Sequence, residues 1–76
     1  MMHETFQTSD LTLAAYLLIQ GYAVADITHE DGKGCFHFRD QPQRQETVLE
    51  FYNRQTTVEP IAFQDHIKSL KAMIRK

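Results

Sequence analysis

Apolar residues recur along this chain with a helical period in three stretches and alternate with polar ones in two stretches between the first and second. The most apolar stretch is Ser9 to Gly21. Ser9 or Asp10 can accept from the free N–H groups of a first turn, and Gly21 can take the left-handed conformation that closes a last one. At about 100° per residue, Leu11, Ala14, Ala15 and Leu18 form the middle of an apolar face. Leu13 and Leu17 extend it on one side and Ile19 on the other, leaving Thr12, Tyr16 and Gln20 as a narrow polar stripe. A helix apolar nearly all round must be enclosed by its own domain or shared with a partner.

Tyr22 to Glu30 and Lys33 to Phe38 flank Asp31-Gly32, a dipeptide suited to a type I′ turn, and so read as a β-hairpin. That turn sets Glu30 against Lys33, Thr28 against Cys35, Ile27 against Phe36, Asp26 against His37 and Ala25 against Phe38. The register puts Ala25, Ile27, Phe36 and Phe38 on one face and Asp26, Thr28, Cys35 and His37 on the other. A slip by one residue would invert both faces.

Pro42 marks the first turn of a second helix capped by Asp40 or Gln41 and running to about Asn53. Its apolar side is Val48, Phe51 and Tyr52, with Leu49 at the margin. Glu59-Pro60 starts a third helix that runs to about Arg75. There Phe63, Ile67, Leu70 and Ile74 share one side, flanked by His66 and Met73. Ahead of everything, Thr5-Phe6-Gln7-Thr8 fits either a short edge strand or a lead-in that docks Phe6. The order is (β)-α-β-β-α-α, an α+β domain with a two- or three-stranded antiparallel sheet and three helices.

The 76 residues suit one domain, residues 1–76, near the lower size limit for a chain without a staple. An apolar fraction of 42% with three tyrosines and five phenylalanines supports a packed core. One cysteine, Cys35, cannot form an internal disulfide, which points to a reducing, cytoplasmic setting. No apolar segment approaches the ~20 residues of a membrane span. The formal net charge of −2 argues against a domain built to grip phosphates, which usually carries a basic excess.

Three groups of residues bear on chemistry. Cys35 and His37 share a strand face with Asp26 opposite, on paper a nucleophile, a base and an orienting carboxylate. Same-face neighbours stand ~7 Å apart along a strand, too far for a working pair, so we expect no enzyme. The same residues with His29 fall short of a zinc set, because His29 points to the other face. His3 and His66 add no paired spacing, so no metal and no cofactor is expected. Lys68, Lys71 and Arg75 gather charge at the end of the last helix, where its dipole favours cations anyway. Arg39, Arg44 and Arg54 would enlarge that patch if the fold brought them together.

The residues Thr5-Phe6-Gln7-Thr8-Ser9-Asp10-Leu11, then Leu13-Ala14-Ala15-Tyr16-Leu17-Leu18 leading to Gly21-Tyr22, give the chain a recognisable outline. Phe36-His37-Phe38-Arg39-Asp40, Phe51-Tyr52-Asn53, Val58-Glu59-Pro60 and Ile67-Lys68-Ser69-Leu70-Lys71-Ala72-Met73-Ile74 complete it. In these motifs the chain resembles a small uncharacterised bacterial and phage domain family, of unknown function, whose members look like stand-alone proteins of about this length. The resemblance covers nearly the whole chain and implies a fold without naming an activity, a catalytic residue or a binding residue. Cys35 and His37 are not part of its pattern.

The expectation is then a small interaction module acting by protein–protein binding or as a homodimer, in the manner of a phage-associated accessory protein. Its surface would take in Leu13, Tyr16 and Gln20 if the neighbouring helices leave the central one uncovered. Tyr52 and Arg54, residue types enriched at interfaces, would join it. The alternative is a nucleic-acid-associated regulator using Lys68, Lys71 and Arg75. Membrane association is not expected.

Overall fold

Asp10 starts the central helix. Its Oδ1 accepts from the backbone N–H groups of Thr12 and Leu13 at 3.0 and 3.2 Å, satisfying two donors that helix geometry leaves free. In the computed structural model, which describes residues 5–54 and 56–74, this helix α1 spans Leu11–Ile19. Gly21, at φ 95°, ends it: its N–H donates to the Leu18 carbonyl and that of Tyr22 to the Leu17 carbonyl, each at 3.0 Å. That pair of bonds is the Schellman closure, and it folds Tyr22 back beside Leu17, both buried.

Before α1 lies β1, Thr5–Thr8, which settles the open choice at the N-terminus in favour of a strand. After it come β2, Val24–Glu30, and β3, Lys33–Arg39. They make one antiparallel sheet ordered β1-β3-β2, with β3 in the middle. The turn between β2 and β3 has positive φ at both Asp31 (52°) and Gly32 (77°), as a type I′ turn demands. The register follows from the turn as expected from Glu30–Lys33 to Asp26–His37.

It departs from expectation at Ala25. Val24, not Ala25, opposes Phe38, because a bulge lies between Val24 and Asp26. Ala25 is the extra residue and is exposed, while Val24 packs on the core. A valine buries more apolar surface than an alanine, so the bulge trades one ladder position for a better inward side chain.

Helix α2 runs over Arg44–Tyr52 and α3 over Pro60–Ile74. α2 starts two residues after Pro42, and its cap residue, Gln43, makes no side-chain hydrogen bond. Asp40 is not the cap, since its carboxylate accepts from the Gln41 N–H and from the Arg44 guanidinium instead. Glu59 does cap α3: its two carboxylate oxygens accept from Ile61 and Ala62 N–H at 3.1 and 2.8 Å.

The core lies between one sheet face and two helices. Phe36 and Phe38 from β3 meet Leu13, Ala14 and Leu17 of α1 and Leu70 of α3, all sealed from solvent. Phe6, Ile27, Phe63, Ile67 and Ile74 close its rim. α1 packs most extensively on α3, and α2 covers its remaining side, with the Phe51 ring 5.3 Å from the Tyr16 ring. The near-complete apolar girth of α1 is therefore consumed inside the molecule.

Candidate functional site

The sheet face turned away from the helices carries Gln7, Asp26, Thr28, Cys35 and His37, as the register requires. Their side chains pair in ways that do not assemble a catalytic relay. His37 Nε2 shares a hydrogen bond of 2.8 Å with Thr28 Oγ1, and Cys35 Sγ donates to Gln7 Oε1 at 3.8 Å. Asp26, although opposite His37, sends Oδ1 to the Ile27 N–H at 2.8 Å. His29 lies on the opposite face, with Nε2 2.9 Å from the Ile74 carbonyl at the end of α3. Among the described residues no group of three or more His, Cys, Asp or Glu side chains could hold a metal ion. His3 lies outside the described residues.

The expected partner surface is redrawn by burial. Leu13 is 1% exposed and Tyr16 3%, so neither can meet a partner. Both are covered because α1 is flanked on two sides, and Tyr16, read as polar from its hydroxyl, spends its ring against Phe51. Gln20 is exposed but sits at the wrong end of α1. α2 runs antiparallel to α1, since Thr47 meets Tyr22 beyond the C-terminus of α1 and Tyr52 reaches Asp10 at its N-terminus. Asp10 and Gln20 are therefore separated by about 15 Å, ten residues at helical rise.

What remains is the C-terminal half of α2. Tyr52 is 55% exposed and Leu49 51%, three residues apart on the helix and so side by side. Arg54 follows two residues later, exposed and held at φ 59°, with its N–H donating to the Phe51 carbonyl at 3.1 Å. Tyr52 is oriented by two contacts: its ring stands edge-on to Phe51, and its hydroxyl donates to Asp10 Oδ2 at 3.4 Å. Leu49 lies at the margin of the apolar side of this helix. Its place two residues before Phe51 already turned it away from the core. Ile61 and Met73 on α3 are further large apolar side chains in solvent.

The Asp10 carboxylate at the foot of this surface is tuned by its hydrogen bonds. Burial alone would raise its pKa, but the Thr12 hydroxyl, the Leu13 and Thr12 N–H groups and the Tyr52 hydroxyl together hold it below the ordinary 3.8. At the other end of α2, Arg44 donates to Asp40 through Nε at 3.0 Å and lies over the Phe6 ring, 4.6 Å from its centroid. That pairing lowers the Asp40 pKa as well.

Arg39 and Arg44 do not join the basic end of α3. Lys68 and Lys71 are exposed on α3, and Arg75 lies outside the described residues. The end of α3 rests on the hairpin turn through the His29–Ile74 contact, while Arg39 is at the far end of β3, about 20 Å away at strand rise. Arg44 is committed to Asp40 and Phe6. Asp65, exposed and one turn before Lys68, dilutes the charge further.

A shallow cleft of about 300 Å³ opens beside the hairpin turn, lined by Ser9, Glu30, Asp31, Lys33, Gly34 and Cys35. It mixes both charge signs and stays open to solvent, unlike a pocket that engulfs a small molecule.

No helix among the described residues is long and apolar enough to cross a membrane. Neither curated proteins nor solved structures include a match to this sequence. Its family, however, is identified over almost the whole length, because one family profile fits residues 3–76. The β-α-β-β-α-α chain belongs to the domain of unknown function DUF5659.

Proposed function

We propose that this chain acts by binding another protein, or a second copy of itself, through the outward face of α2. The observation that carries this reading is the pair Leu49 and Tyr52, each about half exposed on the outer side of a helix whose inner side is already anchored by Val48 and Phe51. A large apolar residue and an aromatic one standing together in solvent, with an arginine beside them, match the composition of interface cores. Tyr52 is also pre-oriented by Phe51 and Asp10, so less side-chain freedom is lost when a partner arrives. The setting we propose is the cytoplasm, in keeping with one unpaired cysteine.

The experiment compares wild type with Leu49→Lys, a substitution at a half-exposed position by a residue of good helix propensity. Each is immobilised and exposed to extract from cells that make the chain, at low and moderate salt. The proposal expects a protein retained by wild type, lost by Leu49→Lys and indifferent to salt. Retention of nucleic acid that falls steeply with salt would favour Lys68 and Lys71 instead.

A further inference from the structure

We propose that Asp26 is an edge guard, a side chain that stops two copies of this chain from joining their sheets through β2. The sheet has β1 and β2 at its borders, and β2, with seven residues, is the longer border strand. Exposed edges present unpaired N–H and C=O groups to any passing strand, and a second copy of the same chain carries a strand of matching length and pattern.

The geometry fixes which groups those are. In a two-residue hairpin the closing pair, Glu30 and Lys33, exchanges both of its hydrogen bonds, and bonded and non-bonded pairs then alternate. Thr28 and Asp26 therefore turn their backbone groups toward β3, while His29 and Ile27 turn theirs outward. Ile27 lies in the middle of that open edge. Its outward N–H is the group already taken by Asp26 Oδ1, at 2.8 Å.

Two further features act in the same sense. The bulge at Ala25 breaks the regular spacing that an incoming strand would have to match. The Asp26 carboxylate also places a negative charge along the line where a second β2, carrying its own Asp26, would lie. A strand added here would have to displace a charged acceptor from Ile27 and desolvate it. The inference is independent of binding at α2, and it assigns Asp26 to the border of the sheet rather than to chemistry with His37.

The test uses the full-length Leu49→Lys chain, so that association through α2 does not contribute, and compares this parent with its Asp26→Ala and Glu30→Ala derivatives. Absolute mass is read by light scattering over a concentration series, with amide hydrogen exchange at Ile27. Asp26→Ala is expected to move from one chain toward two as concentration rises. At low concentration its Ile27 amide should exchange about tenfold faster, the loss of one modest hydrogen bond. The Leu49→Lys parent and its Glu30→Ala derivative should remain single chains. A monomeric Asp26→Ala overturns the proposal, as does equal association by Glu30→Ala, which would assign the effect to net charge. If Asp26→Ala does not fold, Asp26→Asn replaces it: its amide oxygen is a weaker acceptor, so partial association is expected and a strict monomer overturns the inference.

Discussion

Asp10 connects two helices through one carboxylate. It starts α1, accepts from the Thr12 hydroxyl at 2.7 Å and receives the Tyr52 hydroxyl from α2. Replacing it with alanine removes a helix cap, and a loss of about 1 kcal/mol is expected in a urea titration. The same carboxylate and that of Asp40 sit below their ordinary pKa of 3.8 in the folded chain, so the unfolded chain binds protons first on acidification. Their contribution is complete above that value and drains away as pH falls through their lowered folded-state values. Asp10→Asn and Asp40→Asn should each flatten the acid limb of the stability profile, read by circular dichroism between pH 6 and pH 2. Gly34 illustrates a different constraint. A Cβ there would stand 2.7 Å from Ile74 Cγ2 and 2.9 Å from Ile74 Cβ. Gly34→Ala must therefore push the end of α3 off the hairpin, at a cost of about 1–3 kcal/mol.

At the scale of elements, α1 and α2 differ sharply in how they are held. α1 buries five consecutive residues, Leu13 to Leu17, whereas α2 has none fully buried and begins without a side-chain cap. α2 is held instead by the Phe51–Tyr16 rings, by Val48, and by polar links at its two ends. Elements with few buried apolar contacts open at low free energy. We therefore expect α2 amides to exchange through a local opening while those of α1 wait for global unfolding, and Phe51→Ala to widen the difference. Much of this level was readable from residue pattern. The Asp31-Gly32 turn dictated the hairpin register for five pairs, because two positive φ values allow little else. It could not show the Ala25 bulge, since the choice between Ala25 and Val24 depends on the space beside Phe38. Nor could it place α2 accurately, because Pro42 suits both a first helical turn and the turn before one.

At the scale of the whole molecule, the choice for α1 between enclosure and sharing with a partner falls to enclosure for a geometric reason. Periodicity shows which residues are apolar, but it does not show how many elements gather round a helix. Here the sheet, α3 and α2 share the girth of α1, so Leu13 and Tyr16 disappear into the core and the exposed apolar surface moves to Leu49 and Tyr52. Gln20 and Tyr52 could have been set apart in advance only by knowing that α2 returns antiparallel to α1. The candidate surface thus rests on tertiary placement, while the fold class rests on pattern.

The most direct test of binding through α2 is photo-crosslinking from a photoreactive residue at position 49, with position 68 as the comparison, in cells that make the chain. The account predicts a protein adduct from position 49, whether to another protein or to a second copy, and none of that size from position 68. Adducts confined to position 68, or nucleic acid recovered there and nothing from position 49, would contradict it.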